Sequence, residues 1–260
     1  VTVYPVQMKE EPCWGGSKKN LTDSFDYGTY RFRVFDAQSD QLIFSRGFST
    51  LFQEWQTTDE AKTQNKTFYQ AAIFPFPKNN IKLKIDTRER DGHFRTIFST
   101  QIDPEDYFIL KEALPPFQTA DIFIGGEPEH TVDLVILAEG YTQEEMKKFK
   151  KDAKRVTRYL FEEEPFKSEK NKFSVRAVFA PSEESGTDIP GENIYKNTCL
   201  NSNFYTFDVP RYLTVSSMKK VYDAAATVPY DQIYVLVNTP RYGGGGFYNL
   251  VNICSADNEQ

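Results

Sequence analysis

Hydrophobic and polar residues alternate with a period of two in the first third of the chain, the pattern of half-buried β-strands. Residues 30–34 alternate aromatic or apolar side chains with arginines, and residues 81–85 alternate apolar side chains with lysines. Asp91 and Gly92 predict a hairpin turn before another strand at 93–99. No helical periodicity competes with these short strands, so the region is predicted to form an antiparallel β-sandwich.

The periodicity changes in the second half of the chain. Leu134–Ala138 is a continuous apolar run and predicts a strand buried on both faces. Thr142, followed three residues later by Glu145, forms a capping box, and the apolar stripe after it predicts a helix that ends near Phe161. Further elements are predicted as strands at 173–179 and 233–237 and a helix at 216–225. Strands that alternate with helices indicate an α/β layer with at least partly parallel strands.

These patterns predict an α+β fold with two domains. An N-terminal β-sandwich domain covers residues 1–120, and an α/β domain covers residues 128–260. The run Leu114-Pro115-Pro116 is the best boundary, because two prolines block a helix and discourage a central strand. Asp121–Ile124 is predicted as a last strand before a second candidate junction at the glycines that follow it.

Composition excludes several classes of protein. A content of 39% hydrophobic and 15% aromatic residues is typical of a globular chain. The net charge is −6 and no basic cluster is interleaved with aromatic residues, which argues against a nucleic-acid partner. No apolar stretch approaches the ~18 residues of a membrane span, so no transmembrane segment is predicted. The start at Val1 carries no signal-peptide pattern and is typical of a mature or trimmed terminus.

A run of glycines is the most informative motif. Gly243, Gly244, Gly245 and Gly246 follow a predicted strand, and a β-like segment, Phe247–Ile253, comes after them. Each glycine costs about 1 kcal/mol of backbone ordering relative to alanine, so the backbone there must reach positive φ or be approached closely by another chain. A dinucleotide-binding loop would have to open a helix, which this run does not. The run is therefore a candidate functional rim, with a flexible surface loop as the alternative.

The histidines and cysteines supply no complete site. His93 and His130 fall in different predicted domains and form no pair at metal-ligand spacing, so a histidine-built zinc site is not expected to close within this chain. Cys13, Cys199 and Cys254 are too few for a disulfide framework. A cysteine nucleophile paired with His130 would lack an orienting third group.

Residues 181–215 form a long irregular segment, which is usually functional or a cover over another part of the fold. Ser185 and Asp188 lack the strand-turn-helix elbow of a serine hydrolase, and a local turn accounts for them. Glu183 and Glu184 together with Asp188 offer oxygen ligands to a hard cation such as calcium, but they lack the spacing of a calcium loop.

Four motifs occur in register along the second half: residues 132–142, 184–188 and 211–213, and the glycine run with Tyr248 and Asn249. In order and spacing they resemble the IgA-peptidase family of bacterial zinc metallopeptidases, over residues 128–260. The resemblance implies that these residues are the N-terminal part of the α/β metallopeptidase domain. The region before them resembles the β-sandwich that precedes the peptidase domain in Bacteroides-type members. The resemblance implies an exported zinc-dependent endopeptidase that acts on polypeptide.

The same resemblance places the zinc ligands beyond this chain. The family's His-Glu-x-x-His helix would follow shortly after residue 260, so residues 1–260 alone are expected to bind no zinc and to cleave nothing. What the chain would supply is the sandwich and one wall of the cleft. If the protein is exported, a bond between Cys199 and Cys254 would tether the long loop to this wall.

The candidate substrate-binding residues are those of the glycine run and the segment after it: Gly243, Gly244, Gly245, Gly246, Phe247, Tyr248 and Asn249. Phe247–Val251 would pair with extended substrate as an added strand, and the glycines would let the chain turn into the cleft. Gly245→Val is then expected to reduce cleavage at least tenfold while the melting temperature changes little. The alternative function is a non-catalytic surface protein, or a polymer- or carbohydrate-binding module in which the sandwich binds the ligand.

Overall fold

The structure, a computed structural model, describes residues 1–111, 115 and 117–257. The described chain divides into two compact units, the first made of 1–111 with Phe247–Leu250 and the second of 117–246 with 251–257. Leu114 and Pro116, which carry the predicted boundary, lie outside the described residues. The α+β class with antiparallel sheet in the N-terminal region is confirmed.

The first unit is built on an antiparallel sheet. Its elements are β1 (Met8–Lys9), β2 (Tyr30–Asp36), β3 (Leu42–Phe48), α1 (Leu51–Trp55), β4 (Ile81–Arg88), β5 (Phe94–Ile102) and β6 (Ile109–Leu110). The four-stranded sheet has the order β3-β2-β4-β5, and β1 pairs in parallel with β6. Strands β4 and β5 are joined by the predicted hairpin, in which Gly92 has φ +89°.

The alternation along β2 separates an apolar face from a charged one. Phe32 is buried and its ring stacks on Phe44 at 5.8 Å between centroids. On the opposite face, the buried carboxylate of Asp86 accepts hydrogen bonds from Arg31 Nε at 2.8 Å and Arg33 Nε at 2.7 Å. The arginines that alternate with apolar residues in the sequence therefore neutralise a buried acid on the neighbouring strand.

The second unit is a mixed sheet with helices. Its elements are β7 (Gln118–Ile124), β8 (Val132–Glu139), α2 (Met146–Leu160), β9 (Phe173–Phe179), β10 (Ser202–Asn203), β11 (Thr214–Val215), α3 (Met218–Ala225), β12 (Gln232–Val237), β13 (Gly244–Gly246) and β14 (Val251–Ser255). The six-stranded sheet has the order β13-β14-β12-β8-β9-β7. The four inner strands are parallel and both edge strands are antiparallel, which confirms the expected partly parallel layer.

Helix α2 begins where the capping box predicts. The Thr142 backbone N–H donates to Glu145 Oε2 at 2.9 Å, and a single 3₁₀ turn, Gln143–Glu145, leads into the helix. Phe149 and Ala153, one turn apart on the helix, are fully buried in the core that α2 shares with β8 and β9. Other 3₁₀ turns lie at Glu60–Lys62, Pro128–His130, Lys170–Lys172, Pro190–Glu192 and Thr206–Asp208.

Two predicted strands differ from the structure. The strand predicted at Asp121–Ile124 begins at Gln118 and pairs with β9, so it belongs to the sheet of the second unit. The strand predicted at Phe247–Ile253 begins only at Val251. Residues before it turn, because Leu250 N–H donates to Phe247 O at 3.1 Å and Asn249 takes a left-handed φ of 53°.

Candidate substrate pocket beside the glycine strand

The glycine run is itself a strand, not a loop. Gly244 pairs with Cys254 and Gly246 with Asn252, so β13 and β14 form an antiparallel pair at the edge of the six-stranded sheet. On the outer side of β13, Gly244 N–H donates to Arg211 O at 3.2 Å. Leu213 N–H donates to Gly244 O at 3.4 Å, so the segment 211–213 occupies this part of the edge.

Close approach, rather than positive φ, explains these glycines, since none of the four has φ in the positive region. A Cβ on Gly243 would lie 2.3 Å from the ring of Phe204. A Cβ on Gly245 would lie 2.7 Å from Leu213 O and 2.8 Å from the ring of Tyr212. The chain that approaches the glycines is therefore another segment of the same protein.

A pocket of about 590 Å³ opens beside this edge in the second unit. Its lining consists of Val156, Val209, Arg211, Tyr212, Tyr242, Gly243, Gly244, Cys254 and Ser255. Burial raises the pKa of the Cys254 thiol to about 11, so this side chain is neutral at pH 7. Arg211 is the one lining side chain that is charged at neutral pH, and the pocket is consequently cationic with aromatic and aliphatic walls.

The loop that leads into the pocket has strained backbone. Tyr205, Phe207 and Asp208 take left-handed φ values of 62°, 54° and 61°, each costing about 1–3 kcal/mol for a residue other than glycine. Between these residues, the Thr206 hydroxyl lies 2.6 Å from the Thr214 hydroxyl. Strained segments of this kind cluster at functional sites, which is consistent with a binding role for the pocket.

Glu139 fixes the long loop that the sequence predicts as a cover. The side chain is fully buried at the end of β8. Its carboxylate accepts hydrogen bonds from Thr198 Oγ1 at 2.6 Å, Leu200 N–H at 2.7 Å and Ser202 N–H at 2.8 Å. Sequence reasoning missed this role, although a glutamate directly after an apolar strand is the signal that points to a buried acceptor.

Two family models match the chain. The model described as IgA Peptidase M64 covers residues 121–260, and the model described as Peptidase M64 N-terminus covers residues 2–99. The chain belongs to the IgA peptidase M64 family. The predicted resemblance is confirmed, and membership supports a peptidase that acts on polypeptide. No curated protein matches the chain.

The M64 chain brings some of the predicted substrate-binding residues to the pocket and not others. Gly243 and Gly244 line it, whereas Gly245 and Gly246 continue the strand. Phe247, Tyr248 and Asn249 belong to the first unit, where Asn249 Nδ2 donates to the Gly47 carbonyl at 2.9 Å.

The described residues of the M64 chain do not fit a zinc ion. Within residues 1–111, 115 and 117–257, no group of three His, Cys, Asp or Glu side chains is placed to hold a metal. His93 belongs to the first unit and His130 to the second. Glu184 and Asp188 instead accept backbone hydrogen bonds, from Asn197 at 2.7 Å and Lys196 at 2.6 Å.

Among the described residues, the surroundings of Ser185 and of the cysteines do not form a catalytic site. Ser185 Oγ donates to Glu145 Oε1 at 2.9 Å and accepts from Asn238 Nδ2 at 3.1 Å, with no histidine in this network. The structure has no disulfide between Cys199 and Cys254, so it does not contain the bond considered between them. Over the part of the chain that the structure covers, no helix has the length and apolar character needed to cross a membrane.

Proposed function

We propose that the protein is an exported zinc-dependent endopeptidase, in which this chain provides a side-chain pocket for the polypeptide substrate. The observation that carries the proposal is the pocket of about 590 Å³ beside β13, within the region that matches the IgA Peptidase M64 model. A concave site of this size with aliphatic and aromatic walls is typical of ligand recognition.

The zinc dependence is inferred from membership of the peptidase family. When bound, the metal would activate water and polarise the scissile carbonyl. We propose that its ligands lie outside residues 1–260, and the role of the present residues is to bind and orient the substrate. Zinc analysis of dialysed residues 1–260 tests the placement, because one zinc per chain that is lost on replacing His130 would contradict it.

The geometry favours substrate binding in the pocket over pairing of the substrate as an added β-strand. Addition along Phe247–Val251 would require an extended segment, and residues 247–250 turn instead. At Gly244, the outward backbone groups already bond to Arg211 and Leu213. Substrate contact by Tyr248 and Asn249 stays a prediction.

Filling the pocket tests its role. Val209 is 43% exposed and lines the pocket, and Val132 is 39% exposed in the same unit without lining it. In the full-length protein, Val209→Trp should reduce cleavage of a quenched fluorescent casein at least tenfold, while the matched control Val132→Trp should cleave normally. Equal activity of the two folded variants would contradict the pocket's role.

Chelation and fractionation test the remaining parts of the proposal. Cleavage by the full-length protein should disappear with 1,10-phenanthroline and return on adding Zn²⁺. Activity that resists the chelator would contradict zinc dependence, and recovery of the protein in the cytosolic fraction alone would contradict export.

A second candidate function is carbohydrate binding by the first unit. Phe25 and Tyr27 are 72% and 61% exposed, and their rings stack 5.7 Å apart at an interplanar angle of 17°. Exposed, nearly parallel rings offer an outer aromatic face for sugar stacking. Retardation in gels that contain soluble polysaccharides should be lost in a Phe25→Ala, Tyr27→Ala variant. It should persist when the exposed pair Tyr107 and Phe108 is replaced in the same way.

A further inference from the structure

The charge of the pocket stands out against that of the chain. The protein has a net charge of −6, yet the pocket lining contains Arg211 and no carboxylate. Val156 and Val209 add aliphatic surface beside this arginine. The ligand that this environment favours is an anion with room for apolar or aromatic neighbours.

Arg211 differs from the nearby Arg241 in what it contacts. Arg241 forms an ion pair with Glu192, and its guanidinium also donates to the Tyr205 hydroxyl at 3.3 Å. Arg211 is exposed, and none of the carboxylates in residues 1–111 and 117–257 pairs with it. Its guanidinium fork matches a carboxylate with two parallel hydrogen bonds.

The backbone that carries Arg211 is held in place before any ligand arrives. Arg211 O accepts from Gly244 N–H at 3.2 Å, and the next residue, Tyr212, forms a β-bridge with the same glycine. The strained turn at Tyr205–Asp208 lies just before this segment. A fixed backbone lowers the entropy lost on binding, because fewer bonds remain to be ordered.

We infer that Arg211 is a specificity-determining residue that binds a carboxylate of the polypeptide substrate in this pocket. The inference rests on the proposed peptidase function and names the substrate class of the same pocket. The carboxylate comes either from an internal Glu or Asp side chain or from the C-terminus of the polypeptide. Both sources present a carboxylate to Arg211, and they are distinguished by peptides that carry the carboxylate at only one of these places.

The experiment uses the full-length protein and a set of blocked, amidated, otherwise uncharged peptides in which a single Glu or Gln is moved through every position. The value of kcat/KM should be at least tenfold higher for Glu than for Gln at one position. A parent peptide with a free C-terminal carboxylate, compared with its amide, tests the other source. Salt should reduce the preference in the wild-type protein, because it screens the ion pair.

Arg211→Gln should bring the ratio of Glu to Gln cleavage close to one, and Arg211→Lys should retain part of it. Arg158, on α2, has a side chain 63% exposed and does not line the pocket, so Arg158→Gln is the matched control and should keep the preference. A wild-type enzyme that cleaves peptides without any preference for a carboxylate would overturn the inference and leave the peptidase intact. So would a preference that survives in Arg211→Gln. No cleavage of any peptide would overturn the proposed function and this inference with it.

Discussion

Glu139 Oε2 accepts a hydrogen bond of 2.7 Å from the backbone N–H of Leu200, a residue 61 positions further along the chain. The acceptor sits at the end of a central strand and the donor lies in the long loop, so one carboxylate connects the sheet to its cover. Because buried backbone N–H groups need partners, the loop depends on this side chain.

Glu139→Gln should therefore destabilise the protein by about 2–4 kcal/mol, since the new amide group would direct its own N–H donors at existing donors. Urea unfolding measures the loss, and limited proteolysis should cut residues 181–215 faster. Glu183→Gln, an exposed change in the same loop, is the control and should stay within about 0.5 kcal/mol of the wild type. Equal stability of the two variants would show that Glu139 does not hold the loop.

The glycine strand gives a second test. A Cβ at Gly245 meets the fixed carbonyl of Leu213 at 2.7 Å, whereas a Cβ at Gly246 meets only the side-chain oxygen of Asn252 at 2.8 Å. Gly245→Ala should cost about 1–3 kcal/mol through overpacking, and Gly246→Ala should cost less because an amide side chain can rotate away. Thermal unfolding of both variants tests this difference, and Gly245→Ala should have the lower melting temperature.

This changes the expectation for Gly245→Val. A lower melting temperature should accompany any loss of cleavage, so activity must be compared at temperatures where the variant is folded. A variant with an unchanged melting temperature would mean that residues 211–213 are not packed on β13 as described.

Asp133 should make stability depend on pH. Burial raises the pKa of its carboxyl to about 6, with the nearby Asp231 carboxylate adding to the rise and Arg176 opposing it. Because the folded pKa exceeds the unfolded value of 3.8, the folded state holds the proton more tightly and stability falls as pH rises from about 4 to about 6. The change is on the order of 2–3 kcal/mol. Asp133→Asn should flatten this part of the profile, measured by urea unfolding between pH 4 and pH 7.

Asp86 is the natural comparison, because its pKa moves in the opposite direction. Burial alone would raise the pKa, but hydrogen bonds from Arg33, Arg31 and Thr96 outweigh it and hold the pKa below its usual value. The ionised Asp86 carboxylate stabilises the protein fully at pH values above its pKa in the unfolded state. This stabilisation is lost as the pH falls through its pKa in the folded state. Asp86→Asn should thus reduce stability at pH 7 and leave the decline between pH 4 and pH 6 in place.

The cysteines should react in a defined order. Cys13 is exposed, whereas burial raises the pKa of Cys199 and Cys254 to about 11, with the Glu139 carboxylate adding to the effect at Cys199. Iodoacetamide at pH 7.5 should label Cys13 first, because the thiolate is the reacting form. Intact mass after denaturation without reductant should show three labels. One label would mean that Cys199 and Cys254 are bonded in the protein.

Much of the fold follows from local pattern. The alternation at residues 30–34 and 81–85 predicts β2 and β4, and the apolar run at Leu134–Ala138 predicts β8. The capping box at Thr142 places the start of the helical segment. These features are predictable because the periodicity of burial in a strand or helix depends on residues that are close in sequence.

The site is less predictable, because it depends on contacts between distant segments. The glycines indicate close approach, but Phe204 and the segment 211–213 are about 30–40 residues away in sequence, and no local rule pairs them with β13. The aromatic and apolar composition of Phe247–Leu250 favours a β-strand, but the left-handed backbone of Asn249 makes the segment a turn. The pocket joins side chains from four separate segments, which only the folded chain brings together.

The placement of Arg211–Leu213 along β13 also bears on how the protein avoids self-association. An uncovered edge strand of glycines, with no side chains to obstruct a neighbour, would be an open template for pairing with another chain. Here the outward N–H and C=O of Gly244 are already bonded within the protein. The same segment that carries the pocket's arginine thus covers the edge at Gly244, and loosening it would expose a surface prone to aggregation.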